Sequence, residues 1–116
     1  MADLVGDMKS VCDRFGSEFV PAAADSIAGV ADNLGSGLWP VNGMRHREGS
    51  TSGWFLWAGE DLLDDDDFFK PTHVRHLLDR CPELMPYLAL APGFRFLIAP
   101  DHEDVWTDPD LLRDEV

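Results

Sequence analysis

Gly53-Trp54-Phe55-Leu56-Trp57-Ala58-Gly59 runs directly into Glu60-Asp61-Leu62-Leu63-Asp64-Asp65-Asp66-Asp67-Phe68-Phe69. In the first stretch Trp54, Leu56 and Ala58 fall on one side of an extended chain, and Phe55 and Trp57 on the other. With both sides apolar it reads as a central strand covered by helices. The second stretch puts six carboxylates within eight residues. Like charges at that spacing repel, so the segment is expected at the surface and solvated. An acidic lip beside an aromatic wall suits capture of a basic partner better than it suits bond-making chemistry.

On the N-terminal side of this run, Met44-Arg45-His46-Arg47 pairs with it as a hairpin closed by Glu48-Gly49-Ser50-Thr51-Ser52. Pro40-Val41-Asn42-Gly43 reads as a turn feeding that strand. Ser26–Ala31 is a β-prone run, followed by the turn residues Asp32-Asn33 and Gly35-Ser36-Gly37. Leu4, Val5, Met8, Val11, Cys12 and Phe15 recur at helical spacing, which predicts an amphipathic helix over 3–15 in an N-terminal segment 1–16. Phe19-Val20-Pro21 leaves it extended. On the C-terminal side, Thr72 is placed to cap a helix to about Arg80, with Val74, Leu77 and Leu78 as its apolar face and Pro82 as its stop. Leu84, Met85, Tyr87, Leu88 and Leu90 form a second short apolar element. Gly93–Ala99 is a strand, Glu103–Thr107 a shorter one beyond a turn at Pro100-Asp101, and the acidic tail 108–116 frays. The expectation is one α+β domain over 1–116, a largely antiparallel sheet with two or three helices packed on it.

The formal net charge is -13. Residues 1–59 carry seven acidic and four basic side chains, residues 60–116 fifteen and five, so most of the negative field lies on the second half. Nucleic acid and anionic membrane surfaces are repelled by such a field, whereas encounter with a cationic partner is accelerated. Cys12 and Cys81 have no C-x-x-C spacing and read as buried free thiols, with a disulfide between them as the minority alternative. Asp3 and Asp7 interrupt any secretory signal, and no apolar stretch is long enough to span a bilayer, so a cytoplasmic location is expected.

Motifs for catalysis and cofactor binding are absent. Asp64–Asp67 lacks the alternating ligands, bend glycine and terminal glutamate of a calcium loop. His73 and His76, three apart on the expected helix, share a face and could grip zinc with Cys81 near by, but two further ligands have no candidate beyond His46 or His102. A structural or surface role outweighs metal for this pair. No G-x-S-x-G elbow is present, and Cys81 and His76 lie five apart, which turns their side chains away from each other on a helix. Gly35-Ser36-Gly37 lacks the strand, helix and lysine of a phosphate loop. The four tryptophans are first of all core material, yet Trp39 and Trp106 adjoin turns, where one can be partly exposed. An exposed tryptophan edged by Asp101, Glu103 and Asp104 would anchor a lysine- or arginine-rich surface.

Several stretches in order carry a resemblance: Val41–His46, Ser52–Glu60, Asp67–Val74, Cys81–Leu88, Pro92–Pro100 and Glu103–Trp106. Over roughly 26–112 the chain resembles the small bacterial immunity-protein domains of immunity family thirty-three and related domains of unknown function. The resemblance implies an antitoxin that binds a cognate toxin domain of a polymorphic toxin system and blocks it inside the producing cell. It implies no catalytic residue and no cofactor. The resulting expectation is a non-enzymatic binding protein for a basic toxin domain. Its partner surface would comprise Glu60, Asp61, Asp64, Asp65, Asp66 and Asp67, joined by Asp101, Glu103, Asp104 and Trp106. The alternatives are a small metal-binding or metal-dependent domain using His73 and His76, and a subunit that associates with itself through a sheet edge. The oligomeric state stays open.

Overall fold

The computed structural model describes residues 4–47, 51–59 and 69–112. Helix α1 covers Leu4–Phe15, and Gly16 follows it with φ 72°, a left-handed conformation that glycine adopts without strain. Val11 and Cys12 are buried, and Leu4, Met8 and Phe15 pack on the core. Val5 is not on this face; it is 53% exposed.

Among the described residues six strands follow: β1 (Ile27–Ala31), β2 (Val41–Arg45), β3 (Trp54–Ala58), β4 (Phe69–His73), β5 (Phe94–Ala99) and β6 (His102–Thr107). They form one sheet in the order β4-β1-β3-β2-β5-β6. Among the described residues only β1 and β3 run parallel; every other pair is antiparallel. The expected α+β architecture is therefore present. Between β4 and β5 the chain makes a 3-10 turn (Val74–His76), the short helix α2 (Leu77–Arg80) and a longer 3-10 segment (Pro82–Tyr87). With α1 these cover one face of the sheet, burying Val74, Leu77, Leu84 and Leu88 against Val30, Trp54, Leu56 and Phe96.

Strand β3 is central, as expected, but its second face is covered differently. Helix α1 and the helical turns of 74–87 lie on the side of Trp54 and Leu56. Phe55 and Trp57 on the other side meet rings from neighbouring strands: Phe55 has His46 and Phe69 each at 5.1 Å, and Trp57 has Phe69 at 6.1 Å. Aromatic side chains edge-to-face form their own layer without a helix.

Three local expectations are corrected. Pro40–Gly43 is not a turn: Val41–Arg45 is strand β2, with Asn42 and Gly43 in its middle. The Asn42 amide donates to the Gly59 carbonyl at 2.8 Å, and a β-carbon on residue 43 would come within 2.2 Å of the Phe96 ring. Tertiary contacts thus use the asparagine and the glycine for cross-strand bonding and close ring approach. Thr72 is not a helix cap: it lies in β4, the following 3-10 turn starts after His73 with no side-chain cap, and Leu78 is 53% exposed. Pro71 disguises β4 in the sequence, and the strand tolerates it because it is an edge strand, where a missing N–H costs no ladder bond. Residues 108–112 are not frayed either: Pro109–Leu112 forms a 3-10 turn, Leu111 is buried, and the Asp108 N–H donates to the Gly93 carbonyl at 2.7 Å.

Candidate functional site

The strand directions decide which loops meet. Val41 faces Ala58 across β2 and β3 and Ile98 across β2 and β5, Ala99 faces His102, and Ala31 faces Phe69. The ends of β1, β3 and β5 and the starts of β2, β4 and β6 therefore share one end of the sheet. Three connections leave from it: 32–40, 59–68 and 100–101. The acidic segment Glu60, Asp61, Asp64, Asp65, Asp66 and Asp67 lies outside the described residues. The residues that it joins, Gly59 and Phe69, both stand at this end.

The first connection is braced from two sides. Asn33 donates from Nδ2 to the Ala58 carbonyl at 2.7 Å and accepts the Ala58 N–H at 3.0 Å. Arg80 donates from Nε to the Leu34 carbonyl and from Nη2 to the Ala31 carbonyl, each at 2.9 Å. Leu34 is buried beneath, and the chain then presents Leu38 and Trp39 outward, 49% and 39% exposed. Large apolar side chains held out on a fastened loop are the usual material of binding anchors.

Beside Trp39 lies an open depression of about 450 Å³ walled by Trp39, Glu83, Tyr87, Asp101, His102 and Glu103. A smaller one of about 170 Å³ shares Trp39 and Glu83 and reaches Leu38, Arg80 and Cys81. Tyr87 stacks on Phe96 with ring centroids 5.0 Å apart and donates its hydroxyl to Glu103. Arg14 of α1 grips the same carboxylate with both terminal nitrogens, at 2.7 and 3.1 Å.

These contacts set the charge states. The Arg14 hydrogen bonds hold the Glu103 carboxyl below its ordinary value against burial, which alone would raise it. Burial and then the Glu103 bond push the Tyr87 hydroxyl up, so it remains a donor. Burial, helped by the hydrogen bond to Glu83 at 3.2 Å, pushes the Cys81 thiol up to about 12. Cys12, bonded to the Ala89 carbonyl at 3.4 Å, is raised by burial too. Both thiols are free and buried, and raised values keep them protonated and unreactive. A carboxylate favoured by the fold adds stability above its unfolded value, and that stability is lost as the pH falls through the folded one. Glu103→Gln is therefore expected to flatten the fall of stability below about pH 5, read from urea midpoints across pH. An acid limb identical to wild type would show that the Arg14–Glu103 contact contributes nothing to it.

The expected site residues divide. Asp101 and Glu103 stand beside Trp39 at the depression. Asp104 and Trp106 do not: alternation along β6 turns them to the opposite face, where Trp106, 37% exposed, has the Arg95 guanidinium over its ring at 5.4 Å. Arg95 also donates to Asp108 at 3.3 Å. Glu83 and Tyr87 were not among the expected residues; they reach the site from the 3-10 segment, and no local pattern in the sequence ties them to Asp101. Trp39 carried a signal, its place beside a turn. His73 and His76 are not on one helix, since His73 ends β4, yet their rings approach to 5.9 Å. Among the described residues no three histidine, cysteine or acidic side chains are grouped to hold a metal ion, and no helix is long and apolar enough to cross a membrane.

One family model matches the chain, that of the Imm33-like domain, over residues 7–108. The match takes in most of α1, beyond the 26–112 span of the resemblance. No curated protein and no solved structure matches.

Proposed function

Because the chain belongs to the Imm33-like family, we propose that it is an immunity protein that binds a cognate toxin domain and neutralises it by occupying its surface, with no reaction of its own. The observation that supports a particular surface is the gathering of the connections 32–40, 59–68 and 100–101 at one end of the sheet. That end unites Leu38, Trp39 and Asp101 with the points where the segment carrying Glu60, Asp61 and Asp64–Asp67 leaves and rejoins the sheet. Glu103 is the fixed inner wall of this surface. Asp104 and Trp106 extend it around the edge strand β6.

Such a surface fits a basic partner. Long-range attraction raises the rate of encounter, and a few desolvated anchors set the lifetime of the complex. Toxin domains that act on nucleic acid present basic clefts, which an acidic protein can cover without itself binding nucleic acid or an anionic membrane. Action on a toxin made in the same cell places the protein in the cytoplasm.

Co-expression with a toxin domain taken from a neighbouring gene tests the reading. The expected result is restored growth, a stoichiometric complex on purification and loss of toxin activity in vitro. A chain that neither complexes nor protects, or that turns over a small molecule, contradicts it.

A further inference from the structure

The geometry points to the depression beside Trp39 as a seat for one arginine side chain of the protein partner, an inference that rests on the immunity reading and gives the partner's anchor its chemistry. The space, about 450 Å³, is open to solvent and has a flat wall in Trp39 and acidic walls in Glu83, Asp101 and Glu103. A guanidinium is planar and delocalised; it stacks on an indole face and directs its N–H groups in the plane toward carboxylates. A tryptophan beside carboxylates matches both properties at once.

The three carboxylates have different duties. Glu103 is fully engaged, gripped by Arg14 on both oxygens and bonded by Tyr87. Arg14 offsets its charge, so Glu103 acts as a rigid wall. Glu83 takes only the weak Cys81 thiol on Oε2, and a carboxylate with one weak donor retains acceptor capacity for stronger ones. Asp101 is exposed at the tip of the β5–β6 turn. Glu83 and Asp101 are thus the groups that meet the incoming cation.

The seat is built before any partner arrives. Trp39 is carried by the loop that Asn33 and Arg80 fasten to β3, β1 and α2. Tyr87 is fixed by its stack on Phe96. The fastened loop and the fixed Tyr87 and Glu103 walls leave less freedom to be lost on binding, which is where preorganised pockets gain affinity.

Titration of the isotopically labelled full chain with N-acetyl-arginine amide tests this, followed at the indole N–H signal that Trp39→Phe removes. That signal is expected to move with the arginine compound and to stay with N-acetyl-citrulline amide, its neutral isostere. Glu83→Gln combined with Asp101→Asn should weaken the arginine response by about tenfold or more, while a dispersed spectrum reports that the variant folds. Asp101→Asn alone, at an exposed turn, should weaken it in the same direction where the pair disturbs folding. No movement, equal movement with citrulline, equal affinity for N-acetyl-lysine amide, or undiminished binding by the variants overturns the assignment. The titration contains no toxin, so its failure leaves the immunity reading standing, and a chain that protects no cell can still bind the arginine compound.

Discussion

Arg45→Met is expected to lower the stability of the fold by about 3–5 kcal/mol. Arg45 sits in strand β2, in the middle of the protein, with no exposed surface. Its Nε donates to the Ser52 carbonyl at 3.0 Å, and its Nη1 to the Leu90 carbonyl at 2.7 Å and to that of Val20. One guanidinium thereby fastens three segments: the turn before β3, the extended chain after α1 and the chain between the 3-10 segment and β5. Its plane also lies over Trp54, 5.5 Å from the ring, and Trp54 in turn donates to the Leu88 carbonyl at 3.0 Å. Methionine matches the length and leaves those buried carbonyls without this donor. Arg45→Lys should rescue little, since one ammonium cannot span donors that point in several directions. Urea denaturation of the three proteins reads the effect. A loss below about 1 kcal/mol would show that the carbonyls find other donors.

The second large effect falls on association. Replacing Asp64, Asp65, Asp66 and Asp67 together by asparagine is expected to slow binding to the toxin domain by about tenfold or more at low ionic strength. Dissociation should change far less. The dependence of the association rate on salt should shrink as well, since screening acts only on charges that remain. The expectation follows from charge and topology: a dense run of like charge joined to the sheet at Gly59 and Phe69, the same end as Trp39 and Asp101. Stopped-flow measurements across salt concentrations check it. A variant that associates as fast as wild type would place the contact elsewhere.

Much of the fold was legible because some segments obey one period without conflict. Leu4, Met8, Val11, Cys12 and Phe15 mark α1, and the short apolar runs Trp54–Ala58 and Phe94–Ala99 mark β3 and β5. The misread segments carry local signals that distant partners override. Asn42-Gly43 has the composition of a turn, but Gly59 and Phe96 occupy its amide and its missing side chain. Pro71-Thr72 looks like the approach to a helix, yet pairing of Phe69–His73 with Ile27–Ala31 makes it an edge strand. Nothing near Arg45 in the chain announces the carbonyls it bonds.

The site follows the same logic. Trp39 and Asp101 were readable as residues beside turns. Glu83 and Tyr87 were not, because their placement depends on how the 3-10 segment crosses the sheet. The tie between Arg14 and Glu103 spans 89 positions and leaves no local trace. Asp104 and Trp106 were grouped with Glu103 by proximity in sequence; alternation along a strand separates them in space.

Hydrogen–deuterium exchange of the full chain, free and saturated with its toxin domain, tests the location of the interface most directly. Slowed exchange is expected in 32–40, 59–68 and 100–106, with little change in α1 or around Met44. Protection confined to α1 or to the face of the sheet that bears Phe55 and Trp57, with the loop-bearing end exchanging as in the free protein, would contradict it.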